Sequence, residues 1–301
     1  MQSIAELNRQ FGIPGIAEVV SGDGGIAVVR VTHGGVAGAM YLHGAHVTHW
    51  RPAGGEEVLW MSQKSMWQAD KPIRGGVPIC FPWFGPLAGV PTAPAHGFVR
   101  AITWELETIT QSSGGVTVTM KLASDASTMA RWPHEFVLRH RVTFGSMLSM
   151  SLELTNPGKT PLKAEQALHT YFSVRDVRLV AVKGLNGVRY IDKVDERKEK
   201  MQSGDIQITG ETDRVYLNTT GAVTIEDPGM GRRIIVGKES SRNTVVWNPW
   251  IAKAKAMADF GDQEWPGMIC VETCNVGADA VEVAPGGTHF MRAQIATASL
   301  A

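Results

Sequence analysis

Two side chains in this sequence sit where ionisable groups are costly. Glu272 lies inside the apolar run Met268-Ile269-Cys270-Val271-Glu272-Thr273-Cys274, and His169 lies inside Ala167-Leu168-His169-Thr170-Tyr171-Phe172. A carboxylate amid apolar neighbours must be paired or have its pKa raised. Glu272 therefore reads either as half of a structural ion pair or as a base withheld from water. A lone histidine on an apolar face is commonly a hydrogen-bonded core residue. The two together suggest more, because an imidazole and a carboxylate straddle neutral pH and can pass protons between them.

A second chemistry is anion recognition. Arg74 opens the stretch Arg74-Gly75-Gly76-Val77-Pro78-Ile79-Cys80-Phe81-Pro82-Trp83-Phe84-Gly85-Pro86, which holds three glycines, three prolines and three aromatic rings beside one charge. Neither a helix nor a long strand accommodates such a run. A rigid loop of this kind holds something still, and the planar guanidinium fork suits a carboxylate or a phosphate. Its glycines would let backbone approach the ligand. Arg100 follows a second proline-studded loop, Pro86 to Pro94. The two arginines could converge on one anion, or each could pair with a surface carboxylate to little effect. Trp83, Trp247 and Trp250 could stack on a sugar ring or simply pack. Asp213, in Glu211-Thr212-Asp213-Arg214, reads by itself as an ordinary loop acid.

Metal chemistry is not expected. His43, His46 and His49 lie close in sequence, but a strand would point His46 away from the other two, and no acidic ligand is near. The cysteines Cys80, Cys270 and Cys274 are too few and too poorly spaced for a zinc knuckle or a disulfide framework. No cofactor is implied, since a G-x-G-x-x-G after a strand, a Walker loop and a G-x-S-x-G elbow are all missing.

The elements that must position these groups read as strands. Phe136, Leu138, His140, Val142 and Phe144 alternate with polar or smaller residues, and Met147 to Leu154 alternates again before the turn Asn156-Pro157-Gly158. Ile26–Thr32, Val116–Leu122, Ala222–Glu226, Arg233–Val236 and Met268–Thr273 are further strand-like pieces. Helices are expected only over Ile4–Phe11 and Trp250–Ala258, the latter capped by Asn248 with Pro249 at its first position. The lysine-rich piece Asp192 to Lys200 reads as a solvated excursion. No βαβ alternation, repeat or linker is present, so a single all-β domain over 1–301 is expected, a β-sandwich or other large antiparallel structure.

Composition limits the partners. Lys+Arg and Asp+Glu both number 29, for a formal net charge of zero, without the basic surplus of a nucleic-acid binder. Any anionic partner must be small. No apolar run approaches the roughly 20 residues of a membrane span, and the N-terminus lacks the pattern of a secretory signal. A cytoplasmic protein with reduced thiols is the simplest expectation.

Read in order, several segments resemble one family. Ile73-Arg74-Gly75-Gly76-Val77-Pro78, Phe81-Pro82 and Phe84-Gly85, then His96-Gly97-Phe98-Val99-Arg100, then Leu168-His169-Thr170-Tyr171-Phe172 are similar to the glucose-6-phosphate 1-epimerases of the aldose 1-epimerase-like superfamily. Val245-Val246-Trp247-Asn248-Pro249-Trp250 and Cys270-Val271-Glu272 continue the match. The resemblance implies a large antiparallel β-supersandwich that interconverts the anomers of a hexose 6-phosphate, a small-molecule substrate, without cofactor or metal; a monomer is expected. It also implies that His169 and Glu272 are the catalytic pair and that Arg74 and Arg100 hold the phosphate. Asp213, His96 and Trp247 would contact the sugar. Ala95 departs from the polar residue expected before His96. The rivals are a carbohydrate-binding module without catalysis and a glycoside hydrolase or polysaccharide lyase, for which Asp213 and Glu272 would be the paired carboxylates.

Overall fold

Alternation builds most of the molecule. In the computed structural model, which describes residues 2–300, the strands Val137–Phe144 and Leu148–Thr155 each bury every second side chain. Their antiparallel register sets Leu138 opposite Leu154 and Val142 opposite Met150, so both dry faces coincide. On the wet face Arg139 bonds Glu107 and reaches Glu153. This pair lies within a nine-stranded antiparallel sheet that runs from Ile206–Gln207 at one edge to Glu105–Ser112 at the other.

A four-stranded sheet, Ala17–Ser21, Ala27–His33, Val36–Tyr41 and His46–Arg51, packs against it. The contact is close: a Cβ on Gly38 would stand 2.2 Å from the Phe144 ring. The sheet that carries the site has eight strands. Its path is Lys198–Met201, Arg189–Asp192, Thr212–Tyr216, Asn243–Asn248, Met268–Asn275, Gln166–Leu168 and Ile79–Cys80, with Tyr171–Ser173 also pairing on Met268–Asn275. All eight residues of Met268–Asn275 and all six of Asn243–Asn248 are buried, so these central strands have no solvated face. One continuous cluster of buried apolar side chains joins the sheets.

The all-β expectation holds, with corrections in detail. Three α-helices occur among the described residues, one of them, Ala126–Arg131, unforeseen. It is short and has no apolar stripe; its signal is the Asp125/Thr128 capping box. The third helix spans Trp250–Ala256, so Pro249 precedes it rather than opening it. Asn248 Oδ1 accepts the Trp250 N–H at 2.9 Å, while its Nδ2 donates to the Trp265 and Met268 carbonyls at 2.9 Å each. The lysine-rich piece is no excursion either. Arg189–Asp192 and Lys198–Met201 form an edge hairpin, tied by Lys200 to Asp192 and Asp195.

The glycine-rich stretch after Arg74 is threaded between strands. Val77 bridges Val47, Ile79–Cys80 pairs with Gln166–Leu168, and Phe81 bridges Gly97. Gly76 has φ 58°, and a Cβ on it would stand 2.2 Å from the Val47 carbonyl oxygen. The glycine is required by neighbouring backbone, not by the approach of a ligand.

Candidate active site

His169 and Glu272 meet. The strand Gln166–Leu168 ends where Tyr171–Ser173 has yet to begin, and both pair with Met268–Asn275, Leu168 opposite Thr273 and Tyr171 opposite Cys270. The break leaves His169 beside Glu272, with its backbone N–H donating to the Pro78 carbonyl at 3.0 Å. His169 Nε2 lies 3.2 Å from Glu272 Oε1, and their side chains are 10% and 1% exposed. Neither His169 Nδ1 nor Glu272 Oε2 has a protein hydrogen-bond partner.

Burial disfavours the charged form of both groups. It pushes the Glu272 carboxyl well above the usual carboxylate range, where Asp213 adds to the rise and Lys193 and Arg100 oppose it. It also pushes the His169 imidazole well down, helped by His96, Arg100 and Arg74. The two opposed shifts favour the state in which the pair holds one proton between its two members. A protonated Glu272 facing a neutral imidazole contains the same number of protons as a glutamate facing an imidazolium. The two differ by one transfer across the 3.2 Å contact.

The register places further residues on this face. Asp213 is opposite Trp247, and Trp247 is opposite Cys270, two residues from Glu272 on the same strand. Trp247 packs edge-on against His169 at 6.0 Å and against Tyr171 at 5.8 Å, a wall of the site rather than an open stacking platform. His96, at φ 65°, sets its ring edge-on to His169 at 5.7 Å. Burial pulls it down to about 2, with Arg100, Lys193 and Arg74 adding to the fall. Its Nδ1 accepts the Gly85 N–H at 3.3 Å, which places the proton of the neutral ring on Nε2.

The two arginines differ. Arg100 donates from Nη2 to the Ala95 carbonyl at 2.8 Å and has no carboxylate within ion-pair distance among the described residues. Arg74 is occupied: Nε and Nη2 donate to the two oxygens of Asp259 at 3.1 and 3.2 Å, and Nη1 donates to Tyr171 Oη at 2.8 Å. The bidentate edge expected to face an anion is thus held by the protein's own carboxylate. Burial works against the Arg74 charge, but Tyr171 and Asp259 outweigh it and push its pKa up.

Two participants went unnoticed in the sequence. Lys193 stands with Nζ 3.3 Å from Asp213 Oδ1 and 4.6 Å over the Phe84 ring, adding a third cation. It lies at the start of the piece read as solvated, and only the hairpin folds it inward. Asp259 sits just past the third helix, with no local pattern to mark it. The three clustered histidines are accounted for: His43 and His46 are buried with Nε2 on the Lys71 and Gly75 carbonyls, and His49 contacts Glu57. The cysteines are buried thiols. No helix among the described residues is long and apolar enough to cross a membrane.

The fold is a large antiparallel β-structure that brings an imidazole–carboxylate pair together with Asp213, Lys193 and two arginines. The chain belongs to the aldose 1-epimerase family, whose model matches residues 27–296. A relative from Escherichia coli K12, provisionally described as a glucose-6-phosphate 1-epimerase, is 40% identical over 247 residues, covering 82% of each chain. One from Cenchrus ciliaris with the same description is 36% identical, covering 79% of this chain and 74% of its own. The crystal structure of a protein from Salmonella typhimurium, provisionally described as a mutarotase, superposes with TM-score 0.89 at 34% identity over 98% of this chain and 99% of its own.

Proposed function

We propose that this protein interconverts the α and β anomers of a hexose 6-phosphate, glucose 6-phosphate foremost, by opening and closing the pyranose ring between His169 and Glu272. The observation that carries the reading is their 3.2 Å contact, with an unpartnered atom left on each residue. Family membership and the description borne by the relatives support the substrate class.

The reaction requires no net change in protons. One member of the pair takes the hydrogen of the C1 hydroxyl while the other gives the shared proton to the ring oxygen as the C1–O5 bond breaks. The aldehyde turns about C1–C2, the ring closes on the opposite face, and the pair returns to its starting protonation. Burial favours resting with the proton on Glu272 and His169 as base. The expected assignment, Glu272 as base and His169 as acid, is the state on the other side of that transfer, and each turnover visits both. Lys193 and Arg100 favour the ionised glutamate, while Arg100 also disfavours the imidazolium. Two positioned acid–base groups, each worth about 10²–10⁴-fold, are enough for a reaction that water already performs slowly.

The phosphate falls to Arg100, the guanidinium without a carboxylate, and to the two N–H groups of Arg74 that Asp259 and Tyr171 leave free. Asp213, set by Lys193, is placed for sugar hydroxyls. A hydrolase would need Asp213 and Glu272 to flank one bond; Asp213 is two strands away and engaged by Lys193.

Exchange NMR on glucose 6-phosphate, galactose 6-phosphate and free glucose tests the reading. The purified protein is expected to speed α/β exchange without net product, most of all for a 6-phosphate. Unchanged exchange for all three would leave a binding module, and release of reducing ends from an oligosaccharide would mean a hydrolase.

A further inference from the structure

Asp259 is fully engaged by Arg74 yet belongs to no motif, and the chain beside it leads back to His169. Arg74 Nη1 donates to Tyr171 Oη at 2.8 Å, and the Tyr171 ring lies flat on the His169 imidazole, with centroids 4.9 Å apart and planes 13° from parallel. The Tyr171 ring also stacks on Trp60 at 5.7 Å and 19°. Trp60 in turn packs at 4.9 Å on Phe260, the residue next to Asp259. One turn therefore holds Tyr171 from two directions, through its hydroxyl by Asp259 and Arg74 and through its face by Phe260 and Trp60.

We propose that Asp259 is a positioning residue for the acid–base pair: by fixing Arg74 it pins Tyr171, the ring against which His169 is laid flat, and so sets the imidazole's aim at the sugar. The inference rests on the reading of His169 and Glu272 as the pair that moves the protons. Three of the five guanidinium donors of Arg74 serve this linkage, two on Asp259 and one on Tyr171. An arginine meant only for substrate would not commit its parallel N–H edge to a carboxylate of its own chain. A largely buried carboxylate–guanidinium pair adds little net stability over apolar packing but holds its members in one geometry. The backbone does not supply this constraint. Strand pairing fixes where Tyr171 and His169 begin, while the ring rotations depend on what their ends touch.

The test uses the full chain and free glucose as substrate, so that loss of phosphate binding cannot imitate the effect. Asp259→Asn replaces an acceptor with a donor facing Arg74, and Tyr171→Phe deletes the hydroxyl while keeping the ring. Each is expected to lower kcat roughly 10- to 100-fold, the cost of misaiming a reacting group, with KM for glucose little changed. The double variant is expected to be no slower than the worse single one to within about two-fold, because both cut the same linkage. Unchanged kcat in either variant overturns the proposal, as do losses that multiply in the double variant. Should Asp259→Asn fail to fold, Tyr171→Phe alone decides. Failure of the underlying reading has a different signature, full turnover in His169→Ala.

Discussion

Glu272 turns one carboxylate oxygen toward His169 Nε2 at 3.2 Å and leaves the other without a protein partner. A group buried to 1% exposure with an unmet polar atom is destabilising unless something else uses it, and on the proposed function a sugar hydroxyl would do so.

Glu272→Gln and His169→Ala are each expected to lose about 10²–10⁴-fold in turnover with the fold retained. Glu272→Gln should also gain thermal stability. The folded pKa of Glu272 is raised, so the native state binds a proton that the unfolded chain releases above about 4.3, and stability falls as pH rises beyond that point. Glutamine lacks this penalty, so its melting-temperature advantage should grow from pH 5 toward neutrality. His169, pushed down, costs stability only on the acid side, below about 6.5. A Glu272→Gln variant that melts at or below the parent temperature throughout, or near-normal rates in either variant, would place the chemistry elsewhere.

The pH profile follows from the same shifts. The one-proton state of the pair persists between the lowered pKa of His169 and the raised pKa of Glu272, and the proposed mechanism requires that state. kcat/KM for free glucose, corrected for the spontaneous rate, should be flat through neutrality, with limbs further out than an ordinary carboxylate near 4.3 and imidazole near 6.5 would give. Glucose is the proper substrate here because a sugar phosphate titrates near pH 6 itself. A clear inflection near 6.5 that vanishes in His169→Ala would show an ordinary, solvated imidazole.

The arginines should separate in kinetics. Arg100→Ala is expected to raise KM for glucose 6-phosphate about ten- to a hundred-fold, the worth of a lost charge-assisted hydrogen bond, and to leave free glucose nearly unaffected. Arg74→Ala should lower turnover on both sugars as well, since it releases Tyr171. Equal KM changes on the two sugars in Arg100→Ala would remove it from phosphate recognition.

Much of this was legible in the sequence, for physical reasons that also explain the failures. Alternating strands such as Leu148–Thr155 announce themselves because one face is wet. Glu272 and His169 stood out because charge is expensive among apolar neighbours. Their contact was not readable by spacing, as it arises from a strand break at His169 opposite Glu272. Arg74 was found, but not its partner: Asp259 lies 185 residues away, and nothing local distinguishes a carboxylate that will be largely buried from one that stays in water. Lys193 was missed for the opposite reason, since a charged run at a sheet edge looks like solvent-facing chain until a hairpin turns one member inward.

The central strands carry no solvated face, and Glu272 rides on one of them, whereas Arg74, Arg100 and Lys193 stand on connections around that frame. Glu272 is therefore mounted in the sheet, while the cations stand on connections, one of which bears on His169 through Arg74 and Tyr171. On the proposed function, Arg100 and Lys193 can change without altering the buried strands, while the carboxylate that would handle the proton stays where the chain is least free to move.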